Sequence, residues 1–251
     1  MFLNLVEVFH SIQGEGKYAG INTVFFRFAG CNLRCPGFNA SQISQKTGEK
    51  LTGCDTIRAV FTNHFNYEKV QSTNTLLEKI PNLTYKPDII ITGGEPLIHH
   101  KNQIFYEFLS ELLAKNYTVH FETNGTIEID FDKFPLYKNC IFAISPKLSI
   151  SGEKKEKRLN FKALNLLKQN TKECFYKFVI SKDFSLNDEI CEILNAVKGA
   201  KKSDVFCMPL AKNIDELEKN AKFVFNFCLE NGYNYTDRIH IRIFDDKEGV
   251  W

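Results

Sequence analysis

The sequence lacks the features that mark several large classes of protein. No apolar run approaches the roughly 18 residues of a membrane-spanning helix, so we expect no membrane span. The 32 basic and 30 acidic side chains leave a formal net charge of +2. So small a charge does not predict a nucleic-acid partner or an anionic membrane. No repeat or Pro/Gly-rich linker divides the 251 residues. We therefore expect one domain, residues 1–251, that binds a small molecule.

The start of the chain also lacks a recognisable targeting segment. MFLNLVEVFHSIQGEG has none of the basic, apolar and small-residue zones of a signal peptide, so we expect a cytoplasmic protein. Cytoplasmic thiols stay reduced, so the eight cysteines are not expected to form disulfides. Cys140, Cys174, Cys191 and Cys228 lie in apolar patterns that predict packing. Packing is also the preferred interpretation of Cys207, at the end of a strand.

What the sequence does contain is an alternation of strand and helix patterns. The candidate strands are residues 23–29, 88–92, 117–123, 141–145, 174–180, 204–209 and 238–244. Helix-period apolar residues lie at 104–112, 190–197 and 217–228. This alternation predicts an α/β fold with a mostly parallel sheet. Six or seven strands are too few for an eightfold barrel, so we expect an open or partial parallel β/α barrel.

Three segments interrupt the alternation. Residues 36–53 are polar with scattered turn formers and predict an insertion that forms a surface excursion. Residues 62–75 are mixed in character, and their pattern predicts no particular element. Residues 152–158, GEKKEKR, predict a charged, solvated loop, with phosphate binding as the alternative.

Unusual polar and glycine-rich segments follow the predicted strands. Cys31 and Cys35 follow the first strand, TGGEP the second, ETNG the third, SPK the fourth, and Met208-Pro209 the sixth. In parallel α/β folds the ligand site lies at the carboxyl ends of the strands. We therefore expect these segments to share one face of the fold.

Cysteine spacing suggests a metal centre at that face. Cys54, in GCDT, offers a third thiol after 18 residues that follow Cys35. Three thiolates on a 4Fe-4S cube leave one iron open to a substrate or cofactor. The alternative is a zinc site, although zinc prefers closely spaced ligand pairs and a fourth Cys or His, which the sequence does not offer nearby.

The segment TGGEP, residues 92–96, suggests a ligand near the same face. Two successive glycines let the backbone approach a ligand closely, and Glu95 beside them can accept a hydrogen bond from an ammonium group. The alternative is an ordinary strand-to-helix turn with Pro96 in the first helical turn.

Together, the three cysteines and the GGE segment resemble the radical S-adenosylmethionine superfamily. Within it, VEVFHSIQGEGKYAGINTVFFRFAGCNLRC is similar to the opening of 7-carboxy-7-deazaguanine synthases, and CDT, TGGEP, ETNG, SPK and the final EGV extend the resemblance. The family spacing would place the third cysteine at position 38, where this chain has Phe38. GCDT resembles the displaced segment, after 16 extra residues.

This resemblance implies a fold and a reaction. It implies a partial β/α barrel of the radical S-adenosylmethionine type, with a 4Fe-4S cluster, S-adenosylmethionine and Mg²⁺. In that superfamily a 5′-deoxyadenosyl radical abstracts hydrogen from the substrate. Here the substrate would be 6-carboxy-5,6,7,8-tetrahydropterin, which would contract to 7-carboxy-7-deazaguanine with loss of ammonia, on the route to queuosine. A homodimer and an electron donor such as flavodoxin are implied as well.

The resemblance also assigns roles to positions of this chain. It assigns the substrate to Ile12, Gln13, Gly14, Glu15, Arg27 and Thr92. It assigns S-adenosylmethionine to Gly53, Cys54, Asp55, Gly94, Glu95, Ser145, Pro146, Lys147 and Met208. It assigns the cluster to Cys31, Cys35 and Cys54, and Mg²⁺ to Thr56. No catalytic residue is expected beyond the cluster and cofactor.

Two further interpretations come from the residues themselves. Arg27 lies mid-strand among phenylalanines, where an unpaired charge is costly, so we expect a substrate carboxylate as its partner. His99 and His100 are expected to be polar residues at a helix start rather than ligands.

Two other functions remain open from the sequence. One is a glycyl-radical activating enzyme, whose substrate is a protein. The other is a non-catalytic zinc-binding module.

Overall fold

A nine-stranded β-sheet lies at the centre of the computed structural model, which describes residues 2–182 and 186–247. The described strands are β1 (Leu3–Ile12), β2 (Asn22–Phe28), β3 (Ala40–Ile43), β4 (Lys50–Gly53), β5 (Glu68–Val70), β6 (Asp88–Gly93), β7 (Val119–Thr123), β8 (Ile141–Ile144), β9 (Glu173–Ile180), β10 (Val205–Pro209) and β11 (Asn234–Tyr235). The described helices are α1 (Ile57–Val60), α2 (Thr73–Leu77), α3 (Gln103–Ala114), α4 (Lys155–Arg158), α5 (Phe161–Asn170), α6 (Asn187–Ala196), α7 (Ile214–Asn231) and α8 (Ile239–Phe244). The final EGV segment, at 248–250, lies outside the described residues.

The sheet is mostly parallel, as the alternation of elements predicts. Its strand order is β11-β10-β9-β8-β7-β6-β2-β1-β5. Strands β2 and β6 to β11 pair in parallel, whereas β1 pairs antiparallel with β2 and β5. Because β5 and β11 are the two edges and do not pair with each other, the barrel is partial and not closed. The predicted α/β fold and partial barrel are confirmed.

One face of the sheet packs against helices and forms the main core. In β2, Phe26 and Phe28 are buried, and each contacts an aromatic ring of α3. The centroids of Phe26 and Phe108 lie 4.9 Å apart, and those of Phe28 and Phe105 lie 5.2 Å apart. The predicted helices at 104–112, 190–197 and 217–228 fall in α3, α6 and α7.

The other face of the central strands carries polar side chains, because successive residues of a strand point to opposite faces. Arg27 of β2 is in register with Thr92 of β6. In the neighbouring pair, Ile91 is in register with Phe121, so Glu122 is the next residue along β7. This face therefore gathers the polar residues of the candidate site.

The first strand of the chain is β1, not residues 23–29 as the sequence suggests. Only Leu3 and Leu5 of β1 are fully buried, and His10 and Ile12 are exposed at its other end. β1 lies near an edge of the sheet, and its side chains alternate only weakly between buried and exposed. The sequence therefore shows no clear strand pattern there.

Residues 238–244 form α8 rather than the predicted strand. Their apolar alternation fits a strand, but only Ile241 is buried, in a small cluster with Ala211 and Leu217. Ile243 is 65 % exposed. Alternation over so short a segment does not distinguish the two structures.

The polar insertion at 36–53 contains a hairpin. Strands β3 and β4 pair antiparallel, with Ala40 opposite Gly53 and Ile43 opposite Lys50. The insertion therefore folds back, and Gly53 at its end lies opposite Ala40 near its start.

The two remaining interruptions also contain regular structure. Residues 62–75 supply β5 and the start of α2. The charged run at 152–158 is not a fully solvated loop, because it supplies α4 and Arg158 is only 5 % exposed.

Candidate functional site

The hairpin returns Cys54 to the loop that carries Cys31 and Cys35. Gly53 packs so closely on that loop that a Cβ atom there would lie 2.9 Å from the carbonyl oxygen of Arg34. The 16 extra residues thus do not carry the third cysteine away from the other two. An insertion of this length also lowers stability little, because the entropy of loop closure changes slowly with loop length.

The three thiols interact electrostatically. Burial, together with smaller contributions from Glu95, Cys54 and Cys35, raises the pKa of Cys31 to about 12. Burial likewise raises the pKa of Cys35 to about 11, with Cys54 contributing. Three thiolates gathered in this way repel one another, and a positively charged metal centre would relieve that repulsion.

The donor set at the cysteine loop consists of three thiols. Three thiolates can hold a 4Fe-4S cube and leave one iron open. The chemistry of Cys31, Cys35 and Cys54 therefore fits the predicted cluster. Among residues 2–182 and 186–247, no group of three or more His, Cys, Asp or Glu side chains is placed to hold a single metal ion.

The glycines of TGGEP bring β6 against the cysteine loop. A Cβ atom on Gly94 would lie 2.5 Å from the carbonyl oxygen of Gly30 and 2.7 Å from Cβ of Cys31. Gly93 has φ +155, and a Cβ there would lie 2.1 Å from the carbonyl oxygen of Phe28. The close approach seen in the structure is thus to the chain's own cysteine loop.

Gly94→Ala should displace the loop that carries Cys31, since the new methyl group meets backbone atoms. We expect a loss of about 1–3 kcal/mol in unfolding free energy and of most of the bound iron. Chemical denaturation and iron analysis after reconstitution measure the two effects. Gly48→Ala is the control, because Gly48 has φ +74 but no heavy atom of residues 2–182 and 186–247 lies within 4 Å of the place that its new methyl group would take. Equal iron in both variants would contradict the expectation.

Glu95 is fully buried at the same edge. Its Oε1 accepts hydrogen bonds from the Leu97 amide at 3.0 Å and the Thr123 hydroxyl at 2.8 Å, and its Oε2 accepts one from the Asn124 amide at 2.6 Å. Burial raises the pKa of Glu95 to about 6. Three of roughly four acceptor positions are occupied, which leaves room for one further donor.

The SPK segment lies beside the cysteines. Lys147 donates a hydrogen bond from Nζ to Ser145 Oγ at 3.2 Å. Burial raises the pKa values of Cys35, Cys54 and Glu95, and the charge of Lys147 partly offsets that rise. Lys147 therefore lies close enough to all three groups to interact with an anionic ligand among them.

The other residues assigned to S-adenosylmethionine or Mg²⁺ differ in exposure. Pro146 and Met208 are buried, and the Asp55 side chain is 76 % exposed. The Thr56 hydroxyl lies 3.2 Å from Cys54 Sγ and forms no helix-capping hydrogen bond. Asp55 and Thr56 thus flank the third cysteine.

The QGEG segment follows β1 and is held by residues near the end of the described chain. The Ile239 amide donates to the Gly14 carbonyl at 3.1 Å, and the Gly16 amide donates to Thr236 Oγ1 at 2.9 Å. A Cβ atom on Gly14 would lie 2.4 Å from Nδ1 of His240. Only glycine fits at this contact.

Glu15 belongs to a partly buried network of charges. Arg238 donates from Nε to Glu15 at 2.8 Å, and Lys177 donates from Nζ to Glu15 at 3.2 Å and to Glu122 at 2.8 Å. Glu122 also accepts from Thr92 Oγ1 at 3.0 Å. The QGEG segment, β6, β7, β9 and the start of α8 therefore meet at one polar centre.

The charges of this network stabilise one another. Burial favours neutral Glu15, but Lys177 and Arg238 outweigh it and hold the pKa of Glu15 well below its usual range. Lys177 lowers the pKa of Glu122 in the same way. Burial opposes the charge of Lys177, yet Glu122 and Glu15 raise its pKa above the usual value. All four side chains are thus charged at neutral pH.

Comparisons with known proteins match both the cluster and the fold. The family described as "4Fe-4S single cluster domain" matches residues 12–168. A 7-carboxy-7-deazaguanine synthase of Aquifex aeolicus is 32% identical over 87% of this chain and 82% of its own. One of Leptospira interrogans is 30% identical over 97% and 96%.

The chain belongs to the 7-carboxy-7-deazaguanine synthase family and carries a 4Fe-4S single cluster domain. The synthase of Halobacterium salinarum is 29% identical over 97% of this chain and 91% of its own. The crystal structure of QueE from Escherichia coli superposes with a TM-score of 0.61 at 19% identity, covering 94% of both chains. That structure shares the fold.

In this member of the synthase family, Arg27 already has a protein partner. Its Nε lies 2.7 Å from Oε1 of Glu7, which is opposite Arg27 in the β1–β2 pair. The antiparallel strand β1, which the sequence did not predict, thus supplies a partner for Arg27, and the expected substrate carboxylate stays a prediction. The Arg27 guanidinium keeps further donors for a second anion.

Sequence reasoning also missed Glu122, Lys177 and Arg238 of the charged network. A signal was present for two of them. Glu122 is the first residue of the ETNG segment that ends the third predicted strand, and Lys177 stands in the middle of the mostly apolar run CFYKFVI, where a charge needs a partner. Arg238 gave no such signal, because its segment was taken for a strand.

His99, His100 and Cys207 pack as the sequence predicts. His99 contacts the Ala29 carbonyl at 2.8 Å, and His100 contacts the Leu97 carbonyl at 2.7 Å, within the turn after Pro96. Cys207 is fully buried in the main core beside Cys228. The packing interpretation of Cys207 is confirmed.

Proposed function

We infer that this chain is a radical S-adenosylmethionine lyase that converts 6-carboxy-5,6,7,8-tetrahydropterin to 7-carboxy-7-deazaguanine with loss of ammonia, in queuosine biosynthesis. One structural observation carries the inference: the hairpin brings Cys54 back to Cys35, beside the GGE segment. Similarity to synthases over nearly the whole chain supports the substrate class.

Cys31, Cys35 and Cys54 would hold the 4Fe-4S cluster, and the open iron together with S-adenosylmethionine supplies a 5′-deoxyadenosyl radical. Around them, the chain offers groups that suit S-adenosylmethionine. Glu95 retains one acceptor position for the methionyl ammonium. Lys147 supplies a positive charge for an anionic group. The further proposed contacts are Gly53, Asp55, Gly94, Ser145, Pro146 and Met208.

The polar face of the sheet would hold the pterin. Gln13, Gly14 and Glu15 belong to the QGEG segment, and Ile12 precedes it. Thr92 is in register with Arg27 on the neighbouring strand. The network of Glu15, Lys177, Glu122 and Arg238 is balanced in charge by itself. Arg27 lies outside this network and would bind the substrate carboxylate. Its acidic partner in the described part of the chain is Glu7, whose side chain is 35 % exposed.

Several finer features are proposed on the resemblance. Thr56 would offer its hydroxyl to a Mg²⁺ that also contacts the substrate, since magnesium takes few protein ligands. The chain would act as one domain and as a homodimer in the cytoplasm, with an electron donor such as flavodoxin. No described helix combines the length and apolar character needed to cross a bilayer.

Arg27→Ala should raise KM for the pterin about 10- to 100-fold, because a charged hydrogen bond to the carboxylate is lost, while iron content stays unchanged. Steady-state kinetics and iron analysis measure the two. Glu7→Gln is the matched variant, since it removes the same ion pair but keeps the guanidinium. Equal loss of affinity in both variants would mean that Arg27 acts only through Glu7.

A label experiment tests the proposed radical step. The substrate is deuterated at the carboxylated ring carbon and the carbon beside it, and the 5′-deoxyadenosine formed is analysed by mass spectrometry. Deuterium in the nucleoside supports hydrogen abstraction from this ring. Cleavage of S-adenosylmethionine with no deuterium transfer would contradict it and would favour a protein substrate, as in glycyl-radical activating enzymes.

A further inference from the structure

The charged run at 152–158 contacts the cysteine loop through Glu153. The Glu153 side chain is only 8 % exposed, unlike its charged neighbours. Its Oε1 accepts hydrogen bonds from the Arg34 amide at 2.5 Å and the Cys35 amide at 3.0 Å. One carboxylate oxygen thus binds two successive backbone amides at a cysteine of the candidate cluster.

Those amides need an acceptor because of the local backbone. Cys35 has φ 50 and ψ 56, a left-handed conformation that is unfavourable for a residue with a side chain. Successive amides in such a turn converge on one point and bind an anion there. Glu153 supplies the anion and so holds the turn in place.

The backbone before Glu153 reinforces this contact. A Cβ atom on Gly37 would lie 2.1 Å from the Ile150 carbonyl oxygen and 2.8 Å from the Gly152 nitrogen. At the other end of the run, Arg158 donates from Nη1 to the Lys147 carbonyl at 2.7 Å. The segment therefore braces both the Cys35 turn and the SPK segment.

We propose that Glu153 is a positioning residue that fixes the Cys35 turn and, through its charge, lowers the reduction potential of the cluster. The proposal rests on the proposed function, because it requires the cluster at Cys31, Cys35 and Cys54. It goes beyond the roles assigned to the cofactor-binding segments, none of which includes residues 152–158.

The direction of the effect follows from electrostatics. Reduction adds one electron to the cluster, and a nearby carboxylate disfavours that added negative charge. The carboxylate charge therefore makes the cluster harder to reduce.

The test compares reconstituted wild type, Glu153→Gln and Glu156→Gln in an anaerobic titration with dithionite, followed by electron paramagnetic resonance. The amide side chain of Glu153→Gln keeps an oxygen for both backbone amides but removes the charge. Glu156→Gln makes the same charge change at an exposed position of the same run. We expect Glu153→Gln to keep its iron and to be about tenfold easier to reduce, a shift of about 59 mV for one electron. A potential equal to that of wild type would overturn the charge role.

Glu153→Ala tests the positioning role. With no acceptor for the two amides, we expect severalfold faster loss of iron to a chelator than in wild type, with near-native circular dichroism. Unchanged iron loss would overturn positioning. These measurements need no pterin: a wild-type cluster that gives no deazaguanine product would contradict the proposed function alone. A wild type that takes up no cluster would contradict both.

Discussion

Cys54→Ala is expected to fold but to hold almost no stable cluster after reconstitution. Two thiolates, Cys31 and Cys35, cannot replace three, so the cluster absorbance, S-adenosylmethionine cleavage and product formation should all be lost together. Cys54 lies beside the Cys35 loop because Gly53 packs against the Arg34 carbonyl. The measurement is iron and sulfide per chain, with the visible absorption spectrum.

The control is another partly exposed cysteine. Cys191 contacts the Tyr233 hydroxyl at 3.7 Å and lies on α6, away from the cysteine loop. Cys191→Ala should keep full iron and full activity. If Cys54→Ala instead kept both, Cys54 would not be the third ligand and the displaced-cysteine interpretation would be wrong.

Lys177→Met is expected to destabilise the protein by roughly 3–5 kcal/mol at neutral pH. Lys177 is 5 % exposed and pairs with both Glu122 and Glu15. Its removal leaves Glu122 as a partly buried carboxylate without this cation, while Glu15 keeps Arg238. Chemical denaturation of the variant and wild type measures the difference. Lys101→Met, at an exposed lysine, should change stability by less than about 0.5 kcal/mol.

The pH dependence of the unfolding free energy gives a second test of the interaction of Lys177 with Glu15 and Glu122. In folded wild type the pKa values of Glu15 and Glu122 are lowered. Their contribution to the unfolding free energy is therefore fully present above the pKa of an unfolded glutamate, about 4.3, and is lost as pH falls through the lower pKa values of the folded state. In Lys177→Met the folded pKa of Glu122 should rise, so protonation relieves the buried charge. The difference in unfolding free energy between wild type and Lys177→Met should therefore become smaller as pH falls from 7 to about 4. A gap independent of pH would mean that lost packing, not charge, causes the effect.

Much of the sheet could be predicted from the sequence, because six of its parallel strands are strong apolar runs. β6 and β9 are buried along nearly their whole length, which is the pattern of a covered parallel sheet. β1 could not be predicted so easily, since it pairs near the edge and buries few side chains. α8 was mistaken for a strand because three isoleucines alternate, although only Ile241 is buried.

The candidate site divides in a similar way. The cysteines and the GGE segment carry local spacing that a single sequence can reveal, whereas the QGEG segment was singled out by its resemblance to a known family. The ion partners do not, because Lys177 is 162 positions from Glu15 and Arg238 is 223 positions from it. The pairing of Ala40 with Gly53 closes the hairpin of the insertion, and together with the packing of Gly53 against the Arg34 carbonyl it explains how a shifted cysteine can remain beside the other two.

Product analysis after anaerobic turnover tests the central claim most directly. The reconstituted protein is incubated with reductant, S-adenosylmethionine and 6-carboxy-5,6,7,8-tetrahydropterin, and products are identified by mass spectrometry. We predict 7-carboxy-7-deazaguanine, with 5′-deoxyadenosine or methionine from the cofactor. A fully loaded cluster that cleaves S-adenosylmethionine but leaves the pterin unchanged would contradict the proposed function.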